Sequence, residues 1–193
     1  TLPFTLTTPA VGQGSPPVSI EASGAIVVER RAVSPSPGNS APLLVNGFQV
    51  TRIAHATPSA SAQNTLTVSF QTFASLTTLG TDAGSSVRIS GLTGSETPDN
   101  AELPITAPPG SPLAATGRWE QSSGTLEVSV EGNTTAGALY TFSFPLLNPP
   151  APQPSPSVSI ECLGVAAARV TADKPQGNDA PMLVAGFITA RAG

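Results

Sequence analysis

The sequence predicts an all-β protein, an antiparallel β-sandwich. Three observations lead there. Apolar and polar residues alternate with period two over residues 65–74, 125–131 and 138–147, the pattern of half-buried strands. Gly, Pro, Asn and Ser clusters punctuate the chain about every 8–12 residues, as in sandwiches and barrels, with no βαβ alternation. Helix material is scarce: only 10% of residues are charged, against about 25% in average soluble domains, and the chain holds 21 Pro and 18 Gly.

The chain also repeats itself. Ser15-Pro-Pro-Val-Ser-Ile-Glu-Ala-Ser-Gly24 returns 140 residues later (155 − 15) as Ser155-Pro-Ser-Val-Ser-Ile-Glu-Cys-Leu-Gly164, with seven of ten positions identical. Ala41-Pro-Leu-Leu-Val-Asn-Gly-Phe-Gln-Val-Thr-Arg52 returns as Ala180-Pro-Met-Leu-Val-Ala-Gly-Phe-Ile-Thr-Ala-Arg191 with seven of twelve. Phe4, Leu6, Pro9 and Gln13 match Phe144, Leu146, Pro149 and Gln153. The reading is about 1.4 copies of a ~140-residue tandem repeat. Residues 1–54 form the C-terminal part of a preceding repeat. Residues 55–193 form one repeat, whose 141–193 segment is equivalent to 1–54. Thr1 falls inside a repeat, so the sequence reads as a piece of a longer chain.

Taken in order, residues 2–8 alternate Leu and Phe with Thr and predict a strand. Residues 18–22 and 25–33 predict two more, separated by Ser23-Gly24. Residues 34–40 are a Ser/Pro/Gly loop. Residues 43–53 predict a strand, with Gly47 at a bulge or close approach. Residues 54–63 are small and polar and read as a linker, with Asn64 as a turn residue. After the strand at 65–74 and a loop at 76–85, strands are expected at 86–92, 103–106 and 117–121. Ser122-Ser-Gly124 turns the chain into 125–131, and 132–137 turns it into 138–147. The closed unit is expected from about Leu43 to Ala172, with Trp119, Phe70, Phe73, Phe142 and Phe144 in its core.

Composition excludes some functions. A net charge of −4 with no basic patch speaks against nucleic acid. No apolar run approaches the roughly 18 residues that span a bilayer. A Ser-His mechanism has one candidate base, His55, placed in the linker and lacking a Gly-x-Ser-x-Gly elbow. Glycoside hydrolysis needs paired carboxylates. Here Glu21 and Glu161 are equivalent copies, and Glu120, Glu127 and Glu131 lie on a hairpin with Glu127 and Glu131 facing solvent. Glu96, Asp99, Asn100 and Glu102 concentrate acid in one loop but lack an Asp-x-Asp-x-Asp-Gly frame for calcium. Cys162, where the other copy has Ala22, reads as a small buried apolar residue. No catalytic residue, metal site or cofactor is expected. Asn133-Thr134-Thr135 is an N-glycosylation sequon in an expected turn. Ser-Pro stretches, including residues 149–156, read as stiff, polyproline-like connectors.

Several stretches carry a resemblance: residues 89–99, Gly117-Arg-Trp119, Gly124-Thr-Leu126, Tyr140-Thr-Phe-Ser-Phe144, Val158-Ser-Ile-Glu161 and residues 180–187. Together they resemble the tandem immunoglobulin-like repeats of very large surface proteins of algae and related protists, over most of the chain. The Ser-Pro habit is loosely similar to mastigoneme and algal cell-wall glycoproteins. The resemblance implies an immunoglobulin-like architecture and an extracellular or cell-surface location, and it carries no catalytic residue. The function expected is a non-catalytic structural repeat of an extracellular glycoprotein fibre or surface filament, with copies of itself or adjacent repeats as partners. The alternative is a glycan-binding or adhesive module, which would display an exposed aromatic platform.

Overall fold

The computed structural model describes residues 5–7, 9–33, 41–77, 84–164, 167–172 and 180–186. Eleven strands run through these residues: β1 (Ser19–Ala22), β2 (Val28–Ala32), β3 (Phe48–His55), β4 (Gln63–Thr72), β5 (Ser85–Ser90), β6 (Asn100–Pro104), β7 (Leu113–Glu120), β8 (Thr125–Val130), β9 (Leu139–Leu147), β10 (Ser159–Leu163) and β11 (Ala167–Thr171). None of the described residues is helical. The expected all-β class is present, and every strand pairing is antiparallel.

The strands form a six-stranded sheet in the order β11-β10-β5-β8-β7-β6, a three-stranded sheet β3-β4-β9 and a two-stranded sheet β1-β2. Period-two patterning decides which side of each larger sheet is dry. β4 turns Leu66, Val68 and Phe70 inward, and β9 turns Phe142, Phe144 and Leu146 inward. Their register sets Leu66 opposite Phe144 and Val68 opposite Phe142, aromatic–aliphatic pairs worth about 0.2–1 kcal/mol each. From the six-stranded sheet come Val87, Ile89, Trp119, Leu126, Val128 and Ile160, and both sets belong to one apolar cluster. A backbone bridge between Thr106 and Ser143 joins the two sheets at one side. Trp119 is buried and donates its indole N–H to Thr97 O at 2.9 Å, so its one polar atom is satisfied in the dry interior.

Several sequence expectations shift. Residues 5–7 carry no strand and Leu6 is 56% exposed; the rest of the strand expected at 2–8, apart from Thr5 and Thr7, lies outside the described residues, as does the loop at 34–40. The strand expected from Leu43 begins only at Phe48, because Leu43 takes a left-handed φ of 58° in a turn. Phe73 is half-buried and does not join the core. Gly47 does sit at a close approach: a Cβ there would meet the Cα of Gly12 at 2.6 Å. β3, at the end of the first copy, pairs with β4, so Phe48 packs on the central core.

The linker histidine needs the largest correction. His55 ends β3 and is 7% exposed, and Asn64 is not a turn residue but a fully buried member of β4. Asn64 Oδ1 accepts from the backbone N–H groups of Ala56 and Thr57, while its amide donates to Asn148 Oδ1 at 2.9 Å. The Asn148 amide in turn donates to Thr57 O and Ser59 O. His55 Nδ1 lies 3.3 Å from the Asn64 amide nitrogen. Two buried asparagines therefore satisfy the backbone of the β3–β4 connection, and this satisfaction lets polar side chains stay inside.

Candidate functional site

The feature that sets this molecule apart is one element in two environments. β1–β2 and β10–β11 have the same register, Ser19↔Ala32 and Ile20↔Arg31 against Ser159↔Thr171 and Ile160↔Val170, with a bulge at the same place in each. Each pair is tied by the same strap. Gln13 and Val45 form a backbone bridge, as do Gln153 and Val184. The Gln13 side-chain amide donates to Leu43 O at 2.9 Å, and that of Gln153 donates to Met182 O at 2.8 Å. Ser15 Oγ donates to Pro42 O and Ser155 Oγ to Pro181 O, both at 2.8 Å. Leu43 and Met182 share the same φ of 58°. A left-handed leucine or methionine costs roughly 1–2 kcal/mol against the right-handed form. Both copies carry that strain because the Pro-led turn places its third residue there.

The environments differ completely. In the second copy β10 pairs with β5 on its other side, and Val158, Ile160, Cys162, Ala172, Met182 and Val184 all lie inside the core. In the first copy every residue of β1 and β2 is exposed, and β1 pairs only with β2 among the described residues. Val18 is 37% exposed, Ile20 65% and Val33 38%, where their counterparts Val158, Ile160 and Ala172 are 1%, 1% and 6% exposed. The same apolar surface is closed once and open once.

On the polar side of the six-stranded sheet, cross-strand neighbours alternate in sign: Glu161 opposite Arg88, Arg88 opposite Glu127, Glu127 opposite Arg118. Arg88 donates to Glu127 at 2.9 Å and lies 3.6 Å from Glu161, which also accepts from Arg169 at 2.8 Å. Burial works against charge on Glu127, but hydrogen bonds from Arg88 and Ser86 win and hold its carboxyl below the usual value. The Arg169 hydrogen bond does the same for Glu161. Arg88, Arg118, Glu127 and Arg169 border an open groove of about 450 Å³. Each of the two carboxylates already has an arginine partner, so the row works as a clamp across β10, β5 and β8. In the first copy Glu21 has its Arg30, at 3.0 Å, but no counterpart of Arg88 among the described residues.

The other sequence-derived residues fall as follows. Asn133 is exposed in the turn before β9, and its neighbour Thr134 is buried, with its N–H donating to Leu76 O. Cys162 is buried, and burial pushes its thiol up to about 12. The acidic loop does not gather: Asp99 accepts from Gln121 N–H, Asn100 accepts from Glu102 N–H, and Glu96 and Glu102 are exposed. Among the described residues no group of three or more His, Cys, Asp or Glu could hold a metal ion. No helix among them is long and apolar enough to cross a membrane. Comparison with protein-family models, with curated proteins and with solved structures finds no match.

Proposed function

We propose that this chain is a repeat module, with part of its neighbour, of an extracellular glycoprotein fibre or cell-surface filament of the algal and protist kind. Immunoglobulin-like β-sandwich units of about 140 residues follow one another, and no catalysis takes place. The observation that carries the reading is the strand pair and strap built twice, closed into a core once and open once. An isolated pair of strands is marginal in water, so the open copy belongs with a neighbouring unit. The Pro-rich connectors act as semi-rigid spacers between units. The exposed sequon at Asn133 fits a glycosylated surface.

The glycan-binding alternative calls for an exposed aromatic platform. Among the described residues the large exposed apolar side chains are aliphatic, Ile26 at 78% and Val27 at 74% being typical. Immuno-electron microscopy of source cells with antibodies to the chain tests the fibre reading. Labelling along extracellular fibres at an even axial period is expected. Label confined to the cell interior, or a lone monomer in native extracts, overturns it.

A further inference from the structure

We propose that the open edge of β1 is a docking edge for a strand of the β5 type, donated by the unit that precedes it in the same polypeptide. The inference rests on the repeat reading above and names the contact that joins unit to segment. Four observations carry it, all from the closed copy acting as a template for the open one.

First, β10 is a two-sided strand. It pairs with β11 on one side and with β5 on the other, in the register Ser159↔Ser90, Ile160↔Ile89, Glu161↔Arg88, Cys162↔Val87 and Leu163↔Ser86. β1 has the first partner and, among the described residues, lacks the second. Transferred to the first copy, Ser19, Ile20, Glu21, Ala22 and Ser23 face the Ser, Ile, Arg, Val and Ser of an incoming strand. Second, the apolar side chains that would be covered are the ones now bare, Val18, Ile20 and Val33, while Leu43 is half-buried where Met182 is fully buried. Third, charge is incomplete. Glu161 has two arginines, Arg169 of its own hairpin and Arg88 of β5. Among the described residues Glu21 has only Arg30 of its own hairpin, and an arginine at the β5 position supplies the second. Fourth, space is reserved. At Gly164 a Cβ would meet Gly84 O, at the start of β5, at 2.6 Å, whereas its counterpart Gly24 has nothing within 4 Å. Both φ values are positive, 82° and 137°, so each site favours glycine, and the open space at Gly24 is the volume that the start of the incoming strand occupies.

The source is the same polypeptide rather than a second molecule. In a free second copy both edges of β5 are already taken, by β10 and β8. A unit that has yet to receive its β10-type strand is the one whose chain runs directly into the first copy. Strand addition of this kind uses main-chain hydrogen bonds for affinity and alternate side chains for specificity.

The experiment is a tandem chain in which residues 48–140 are placed directly before Thr1 of the full 193-residue sequence, since Thr1 occupies the place of Thr141 in the repeat. Hydrogen exchange is read at the β1 amides in the single and tandem chains. Exchange at β1 is expected to slow by about 100-fold or more in the tandem chain, as for a strand taken from an exposed edge into a cooperative unit. Glu21→Arg should abolish the slowing, and Arg88→Glu in the added copy alone should restore it. If the added copy's β4 and β8 amides are protected while β1 exchanges as before, the repeat reading stands and the docking proposal falls. If the added residues gain no protection anywhere, both fall. Protection of β1 in the single chain that grows with protein concentration, and is lost on Ile20→Asp, gives the edge to a second molecule and overturns the assignment to the same polypeptide.

Discussion

Ile20 and Ile160 are the same residue at the same position of two equivalent hairpins, which makes them an internal experiment. Ile160 is 1% exposed in the core, and Ile20 is 65% exposed on an open strand. Replacing each in turn by alanine removes the same atoms from opposite environments. At Ile160 the loss combines the transfer free energy of a buried aliphatic side chain, about 1.5–3 kcal/mol, with the penalty for a residual cavity. The total expected is about 2–5 kcal/mol. At Ile20 the change stays within about 0.5 kcal/mol, as for surface substitutions generally. Against a total stability of roughly 5–15 kcal/mol, the first should shift a denaturation midpoint plainly and the second hardly at all. Urea unfolding followed by Trp119 fluorescence measures both, because Trp119 is in the core that Ile160 helps to fill. Equal costs at the two sites would mean that the first copy is already packed in the single chain, and would refute the contrast between open and closed copies.

Three more expectations follow from the core, the charge row and the sequon. Trp119→Ala should cost about 3–5 kcal/mol and leave Thr97 O without its donor; native emission at the wavelength of fully exposed indole would contradict the burial. Glu127 and Glu161 titrate below the ordinary carboxylate value of 4.5, so the stability they add is complete above that pH and is lost as pH falls through the lowered native values. Thermal melts from pH 6 to about pH 3 should show a falling Tm, and the double variant Glu127→Gln/Glu161→Gln should fall less steeply; an unchanged slope would refute the role of the pair. Asn133 should carry sugar in material from the natural source, and intact-peptide mass spectrometry finding it bare throughout would remove the glycoprotein element of the proposal.

Where burial follows from local alternation, the sequence was legible. β8 and β9 read out inside and outside along their length, β4 did so from Leu66 to Phe70, and Trp119 flanked by Arg118 and Glu120 could only face in. The repeat was legible too, because it is a property of the sequence itself. His55, Asn64 and Asn148 were not. Their burial depends on a hydrogen bond between residues 84 positions apart, and no local pattern distinguishes an asparagine that satisfies buried backbone from one that starts a turn. Phe73 read as core because it is aromatic, but β4 ends at Thr72 and leaves it at the rim. The most instructive case is Val-Ser-Ile-Glu, present at residues 18–21 and 158–161 with opposite burial. Identical tetrapeptides cannot encode that difference. The partner strand does, and among the described residues only β10 has one on its second edge. The charge row across β10, β5, β8 and β7 was likewise visible only once the sheet order was known.

Those twin tetrapeptides have a consequence for how the chain is made. β1 precedes β5 and β10 follows it, so during synthesis β1 is made before β10 and can meet the bare edge of β5 first. Repeated sequences in one chain are prone to this kind of misassembly. The final arrangement places β10 there, and the residues just after the shared tetrapeptide are where the two candidates differ: Cys162 and Leu163 against Ala22 and Ser23. Cys162 fills a site in the core that alanine would leave underfilled, and Met182, fully buried on the strap, adds a second anchor where the other copy has Leu43. The small departures between the two copies act as proofreading marks that hold β10, rather than its near-twin β1, to the edge of β5.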